Sequence, residues 1–260
     1  METILSNELY QKTFKHFENF NNESGIRRGH PILYFGDLKN YLKQEFKVIT
    51  VGVNPSSKEF DKERFPKYRK SPYSLEYAQN EYFTLNPYSW FSNYEKLLNH
   101  LGYSYGGRIN KDNKRYKKAI HTDYITPLTT EEQWSSFSKQ NIDLAEKIKQ
   151  EGFEIWKDLI NELKPDLIIY ATNIKKDLKS EMIKKLKYMK VRELVSINKN
   201  ERGEPRKGPF TFCYGNIEIH KIKYDILFGG GLGTQWPVPV PQLELDKSKL
   251  REVMSSFNYI

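Results

Sequence analysis

The segment Val48–Val53, VITVGV, constrains the fold more than any other stretch of the chain. It is a short apolar run, rich in β-branched residues and closed by Asn54-Pro55, and it predicts a buried strand ending in a turn. A second run of this kind, Asp166–Thr172 (DLIIYAT), follows Lys164-Pro165. Before it, Gln140–Leu163 carries apolar residues at Ile142, Ile148, Ile155, Trp156, Leu159 and Leu163. That spacing predicts a long amphipathic helix, which stops where proline disfavours helix in the preceding residue. Further strands are predicted over Ala119–Leu128, Val191–Ile197, Phe210–Ile222 and Tyr224–Phe228. Further helices are predicted over Ser6–Asn21, Trp90–Leu101 and, Lys-rich, Ile174–Lys190. Strands alternating with helices of this length predict an α/β fold, three-layer α/β/α with a mainly parallel central sheet. Ligands bind beyond the carboxyl ends of such strands, which selects the loops after Val53, Ile125, Thr172 and Phe228.

A length of 260 residues suits one sizeable domain over 1–260. Within it we expect an N-terminal helical extension over 1–45. We also expect a basic and aromatic insertion over 58–89, which holds Pro66, Pro72 and Pro87. The net charge of +9 suggests an anionic partner, most simply nucleic acid, although a Lys-rich surface serving solubility has the same charge. The single cysteine, Cys213, cannot form a disulfide or a Cys-based metal site within one chain. The five histidines show no metal-binding spacing, so no metal and no cofactor are expected. A reducing, cytoplasmic compartment fits this cysteine usage, and a monomer is expected. The first residues lack the apolar core of a secretory signal, and no run approaches the ~20 apolar residues that span a bilayer, so no membrane partner is expected. No GxGxxG or Walker pattern follows a strand, which disfavours a nucleotide-binding enzyme of the doubly wound type.

The loop Gly52-Val53-Asn54-Pro55-Ser56 carries the sharpest chemical signal. Gly52 lets a ligand or another backbone come close, and Pro55 fixes the turn that presents Asn54. GVNPS resembles the first motif of the uracil-DNA-glycosylase superfamily, especially the mismatch-specific uracil/thymine branch, whose motif reads GINPG. ELKPDLIIYAT (Glu162–Thr172) is similar to the helix, Pro-Asp and strand passage of that superfamily. In order of elements the resemblance runs from about Val48 to Leu232. It implies a uracil-DNA-glycosylase-like fold. The implied activity is a monofunctional DNA glycosylase that flips a base and hydrolyses its N-glycosidic bond to leave an abasic site. Asn54 matches the asparagine that holds a water below the sugar; a carboxamide positions that water and cannot act as a true base. The other reading of Asn54 is an asparagine that caps its own turn.

Related families end the second strand with an asparagine that reads uracil. Here HTDYITPL (His121–Leu128) puts Asp123 near that position. An ionised carboxylate only accepts hydrogen bonds, so Asp123 argues for a base with an amino group, such as a cytosine derivative; a cap at a strand end is the equal alternative. Strand alternation places His121 on the same face, where it either stabilises the departing base or hydrogen-bonds Asp123. Many relatives carry HPS and a wedging leucine in the last motif. This chain has Gly230, Gly231, Leu232 and Gly233 instead, without the histidine. Leu232 is the expected wedge, and the glycine N–H groups are expected to contact phosphates or the base.

Substrate contacts are assigned to Gly52, Val53, Pro55 and Ser56, to Phe60, which has the best spacing for stacking on the base, and to Asn173 after the third strand. Phe65, Tyr82 and Phe83 are further stacking candidates. Arg108, Lys114 and Arg115 in a basic loop are expected to neutralise phosphates. The favoured substrate is glucosylated or hydroxymethylated cytosine, which prokaryotic relatives excise in anti-phage defence. The alternatives are uracil or mismatched thymine in repair, or a non-catalytic DNA-binding protein on the same fold.

Overall fold

The computed structural model describes residues 3–57, 70–85, 90–107, 116–171, 187–199 and 203–229. In chain order the elements are α1 (Asn7–Phe20), β1 (Tyr34–Phe35), α2 (Leu38–Leu42), β2 (Val48–Gly52), α3 (Pro72–Asn80), α4 (Tyr82–Leu85), α5 (Phe91–His100), β3 (Tyr103–Ser104), β4 (Lys117–Asp123), α6 (Trp134–Gln140), α7 (Ile142–Leu163), β5 (Leu167–Ala171), β6 (Lys187–Lys199), β7 (Pro205–Ile219) and β8 (Ile222–Gly229). This is an α/β protein with a mostly parallel sheet.

The strands β4, β2, β5 and β8 lie side by side and parallel. Antiparallel β1 flanks β4, short β3 pairs with the start of β4, and β7 and β6 extend the sheet antiparallel beyond β8. The β7–β8 turn is tight because His220 (φ 49°) and Lys221 (φ 68°) both adopt the left-handed conformation that a two-residue hairpin loop requires. From β2 the chain passes to β4 on one side and then returns to β5 on the other. The order therefore reverses at the carboxyl end of β2, the place where doubly wound sheets open a ligand crevice.

Strand alternation sorts the core into two clusters, one on each face of the sheet. Ile49, Val51, Ile120, Ile168, Tyr170 and Ile226 face α1, α2 and α7. Val48, Ala119, Leu167, Ile169 and Leu227 face Phe91, Tyr94 and Leu98 of α5. Helix α1 starts at Ser6, whose side chain accepts from the Leu9 N–H, and buries Leu9, Tyr10, Phe14, Phe17 and Phe20. The N-terminal stretch is thus built into the same core as the sheet.

Several expectations change. The strand expected over Ala119–Leu128 ends at Asp123, because the N–H groups of Tyr124 and Ile125 turn to the carbonyls of Gly52 and Val53 (3.2 and 3.0 Å). The helix expected from Gln140 is broken at Asn141 (φ −131°, ψ 59°), which separates α6 from α7. Lys187–Lys190, expected as the end of a helix, belong to β6 instead, where they pair with β7. The insertion expected over 58–89, read from the sequence as irregular or partly helical, is helical over Pro72–Asn80 and Tyr82–Leu85. The buried Glu76 accepts from Tyr10 OH (2.8 Å) and the Ile4 N–H (2.9 Å), and the Gln79 side chain accepts from the Leu33 N–H (2.6 Å). No helix among the described residues is long and apolar enough to cross a membrane.

Candidate functional site

Parallel pairing of β2 with β4 sets Gly52 beside Asp123 and Thr50 beside His121. Gly52 is necessary at its position. A Cβ there would overlap Asp123 Oδ1 and stand 2.8 Å from His121 Nε2. The missing side chain is therefore what lets a carboxylate and an imidazole lie over the end of β2.

Asp123 is 7% exposed, and no donor among the described residues hydrogen-bonds its carboxylate. Its nearest polar neighbour is His121 Nε2, 3.6 Å from Oδ1, which is longer than a hydrogen bond. A buried carboxylate in this state is costly unless something supplies a donor. His121 is 1% exposed and lies among the rings of Phe91, Trp90, Tyr94 and Phe35, with centroids 5.0 to 5.9 Å away. His121 Nδ1 lies 2.7 Å from Thr50 Oγ1, and Thr50 Oγ1 is also hydrogen-bonded to the Tyr105 hydroxyl. Burial pushes the Tyr105 phenol well above its ordinary pKa, so it stays protonated.

Asn54 leaves the strand half-buried on the same edge. Its amide donates to Pro55 O (3.0 Å) and to Thr130 Oγ1 (2.9 Å), and Thr130 passes its own proton to Glu132 O (2.6 Å). Both amide hydrogens are thereby used, and Oδ1 has no partner among the described residues. The first bond is the local turn contact expected of an asparagine in this position. The second reaches across the chain and fixes the carboxamide plane. The loop is held further by the Ser56–Thr130 bridge and by the Arg27 guanidinium, which donates to Ser57 O. Pro55 is buried, whereas Val53 stands 38% exposed.

The structure thus brings together Gly52, Val53, Asn54, Pro55, Ser56, His121 and Asp123. Phe60, Phe65, Asn173, Arg108, Lys114, Arg115, Gly230, Gly231, Leu232 and Gly233 lie outside the described residues. Tyr82 and Phe83 are core residues rather than stacking surfaces, at 1% and 2% exposure, packed on Phe91 and each other. Among the described residues, the half-buried ring beside His121 is Trp90, which opens α5 and packs on Phe91 and Tyr94.

No family model, curated protein or solved structure matches this chain. Its chemistry is therefore read from the site. Thr50, Tyr105, Thr130 and Trp90 were not identified from the sequence. Thr50 did leave a signal: it is a polar residue in a buried strand, two positions before Gly52 and so on the same face. Thr130 and Tyr105 reach the site through contacts distant in sequence, and no local pattern announces them. Among the described residues, no group of three or more His, Cys, Asp or Glu side chains gathers to hold a metal ion.

Proposed function

We propose that this chain is a DNA glycosylase that flips a base carrying an exocyclic amine into the crevice beyond β2 and hydrolyses its bond to deoxyribose. One observation carries the reading: the Asn54 carboxamide is pinned through its nitrogen, and among the described residues neither its oxygen nor the buried Asp123 carboxylate accepts a hydrogen bond. Cleavage of an N-glycosidic bond builds positive charge on the sugar and needs a water held on one face of it. The Asn54 oxygen accepts from that water and orients it, which is a positioning contribution. The Asp123 carboxylate accepts from the base. An acceptor-only group matches the exocyclic amine of cytosine, whereas the uracil carbonyl at the same place needs a donor such as an asparagine amide. Glucosylated or hydroxymethylated cytosine, which prokaryotic anti-phage members of the superfamily that the GVNPS motif resembles excise, is the favoured substrate. Trp90 offers the stacking surface, and the net charge of +9 suits a phosphate-bearing partner.

The test is incubation with duplexes containing uracil, mismatched thymine, hydroxymethylcytosine or its glucosylated form, followed by detection of alkali-labile abasic sites. Excision of a cytosine derivative, slowed roughly 100-fold or more by Asn54→Ala, is expected. An Asn54→Ala variant as fast as wild type removes the water-holding role. Tight DNA binding with no product from any duplex leaves a non-catalytic DNA-binding protein.

A further inference from the structure

The proton arrangement behind Asp123 can be worked out from its partners. The Tyr105 hydroxyl is fully enclosed and must donate; its one side-chain partner among the described residues is Thr50 Oγ1. Once Thr50 Oγ1 accepts from Tyr105, its own proton has one place to go, His121 Nδ1 at 2.7 Å. Nδ1 is then an acceptor, so the imidazole proton sits on Nε2, which faces Asp123 Oδ1. The opposite polarity, with Nδ1–H donating to Thr50, forces the Thr50 proton onto Tyr105 and leaves the phenol proton without an acceptor among the described residues. It also turns an imidazole lone pair toward a carboxylate.

We infer that Tyr105, Thr50 and His121 form a buried relay that locks His121 in the Nε2–H form and thereby sets the orientation of Asp123 as an acceptor for the ligand. All are positioning residues. His121, 1% exposed and enclosed by rings, acts through Asp123 and does not touch the base. The separation of 3.6 Å is the open form of the last link, and catalytic contacts commonly tighten when substrate binds. The relay would orient Asp123 for any donor-bearing ligand; that the ligand is an amino-bearing base rests on the glycosylase reading above.

The experiment pairs a spectroscopic readout with an activity readout on the full chain. Nitrogen-15 chemical shifts of His121 report its tautomer directly, without any substrate. Wild type is expected to show Nδ1 unprotonated and Nε2 protonated. Thr50→Val, which keeps the shape but not the hydroxyl, is expected to shift both nitrogens, and Thr50→Ser to restore them. Tyr105→Phe, which removes only the phenol oxygen, is expected to mix the tautomers and gives a second variant should Thr50→Val fail to fold. In the excision assay, kcat/KM for the cytosine derivative should fall about tenfold in Thr50→Val, the scale of one lost hydrogen bond, and recover in Thr50→Ser. His121 protonated on Nδ1 in wild type, or nitrogen shifts unchanged in both variants, overturns the relay. Shifted nitrogens with undiminished excision overturn its role in positioning Asp123. If wild type excises no base, the glycosylase reading fails while the tautomer still decides the relay.

Discussion

Replacing Gly52 with alanine tests the geometry of the site without assuming any activity. The added Cβ would overlap Asp123 Oδ1 and lie 2.8 Å from His121 Nε2. Neither neighbour has room to withdraw: the two side chains are 4% and 2% exposed, and His121 is tied to Thr50. Overpacking of this kind costs about 1–3 kcal/mol. For a chain of this size that corresponds to a fall in Tm of roughly 2–12 °C. Asp123→Ala removes the overlapping oxygen. Alone it is expected to cost little or to stabilise, because the carboxylate is buried and no described residue donates a hydrogen bond to it. The double variant is then expected to be more stable than the sum of the single effects by about 1 kcal/mol or more. Urea or thermal unfolding of the four proteins measures this coupling. Equal costs of Gly52→Ala in the presence and absence of the Asp123 carboxylate would refute the close approach of these residues, and with it the site as described.

Gly152 in α7 is packed against the exit of β4, where a Cβ would overlap Ile125 O and stand 2.7 Å from Thr126 Cα; Gly152→Ala should destabilise by about 1–3 kcal/mol in urea unfolding, although alanine is the better helix former. His16 on α1 is buried beside Glu151 (3.0 Å) and Thr126 (3.0 Å), and its pKa is lowered, chiefly by burial and against the pull of Glu151. The unfolded chain therefore takes up a proton near pH ~6.5 that the folded chain resists, so stability should decline as pH falls from 7 toward 5.5. His16→Gln should flatten that slope in urea unfolding, and an unchanged slope would exclude His16 as its source. Trp90→Ala should raise KM for the proposed substrate about tenfold, the scale of one lost stacking contact, and should also lower Tm because the ring packs on Phe91 and Tyr94; an unchanged KM would remove Trp90 as the stacking surface.

Local pattern carried much of the architecture. The β-branched run of β2, the period of α7 and the proline before β5 each answer to forces acting within a few residues, and all three elements stand where they were expected. Alternation also placed His121 and Asp123 on one face of β4. Short elements escaped because their stability comes from partners elsewhere. Strand β1 exists through its pairing with β4, and α3 is docked by Glu76 and Gln79 against residues far away in sequence. Tyr82 and Phe83 looked like stacking rings for the same reason: composition marks an aromatic residue but does not say which side of it faces protein.

The sequence by itself determined the strand-loop carrying Gly52 and Asn54, the alternation of strands and helices, and a basic charge balance. These depend on propensity, period and count, which are local or additive. Only the tertiary structure decided what surrounds the loop. The register of β2 against β4 puts Asp123 over Gly52, Thr130 fixes the Asn54 carboxamide, and Tyr105 with Thr50 orders the protons around His121. Each is a contact between residues distant in the chain. Its energy arises from burial and hydrogen-bond satisfaction, which exist only once the sheet has closed around them.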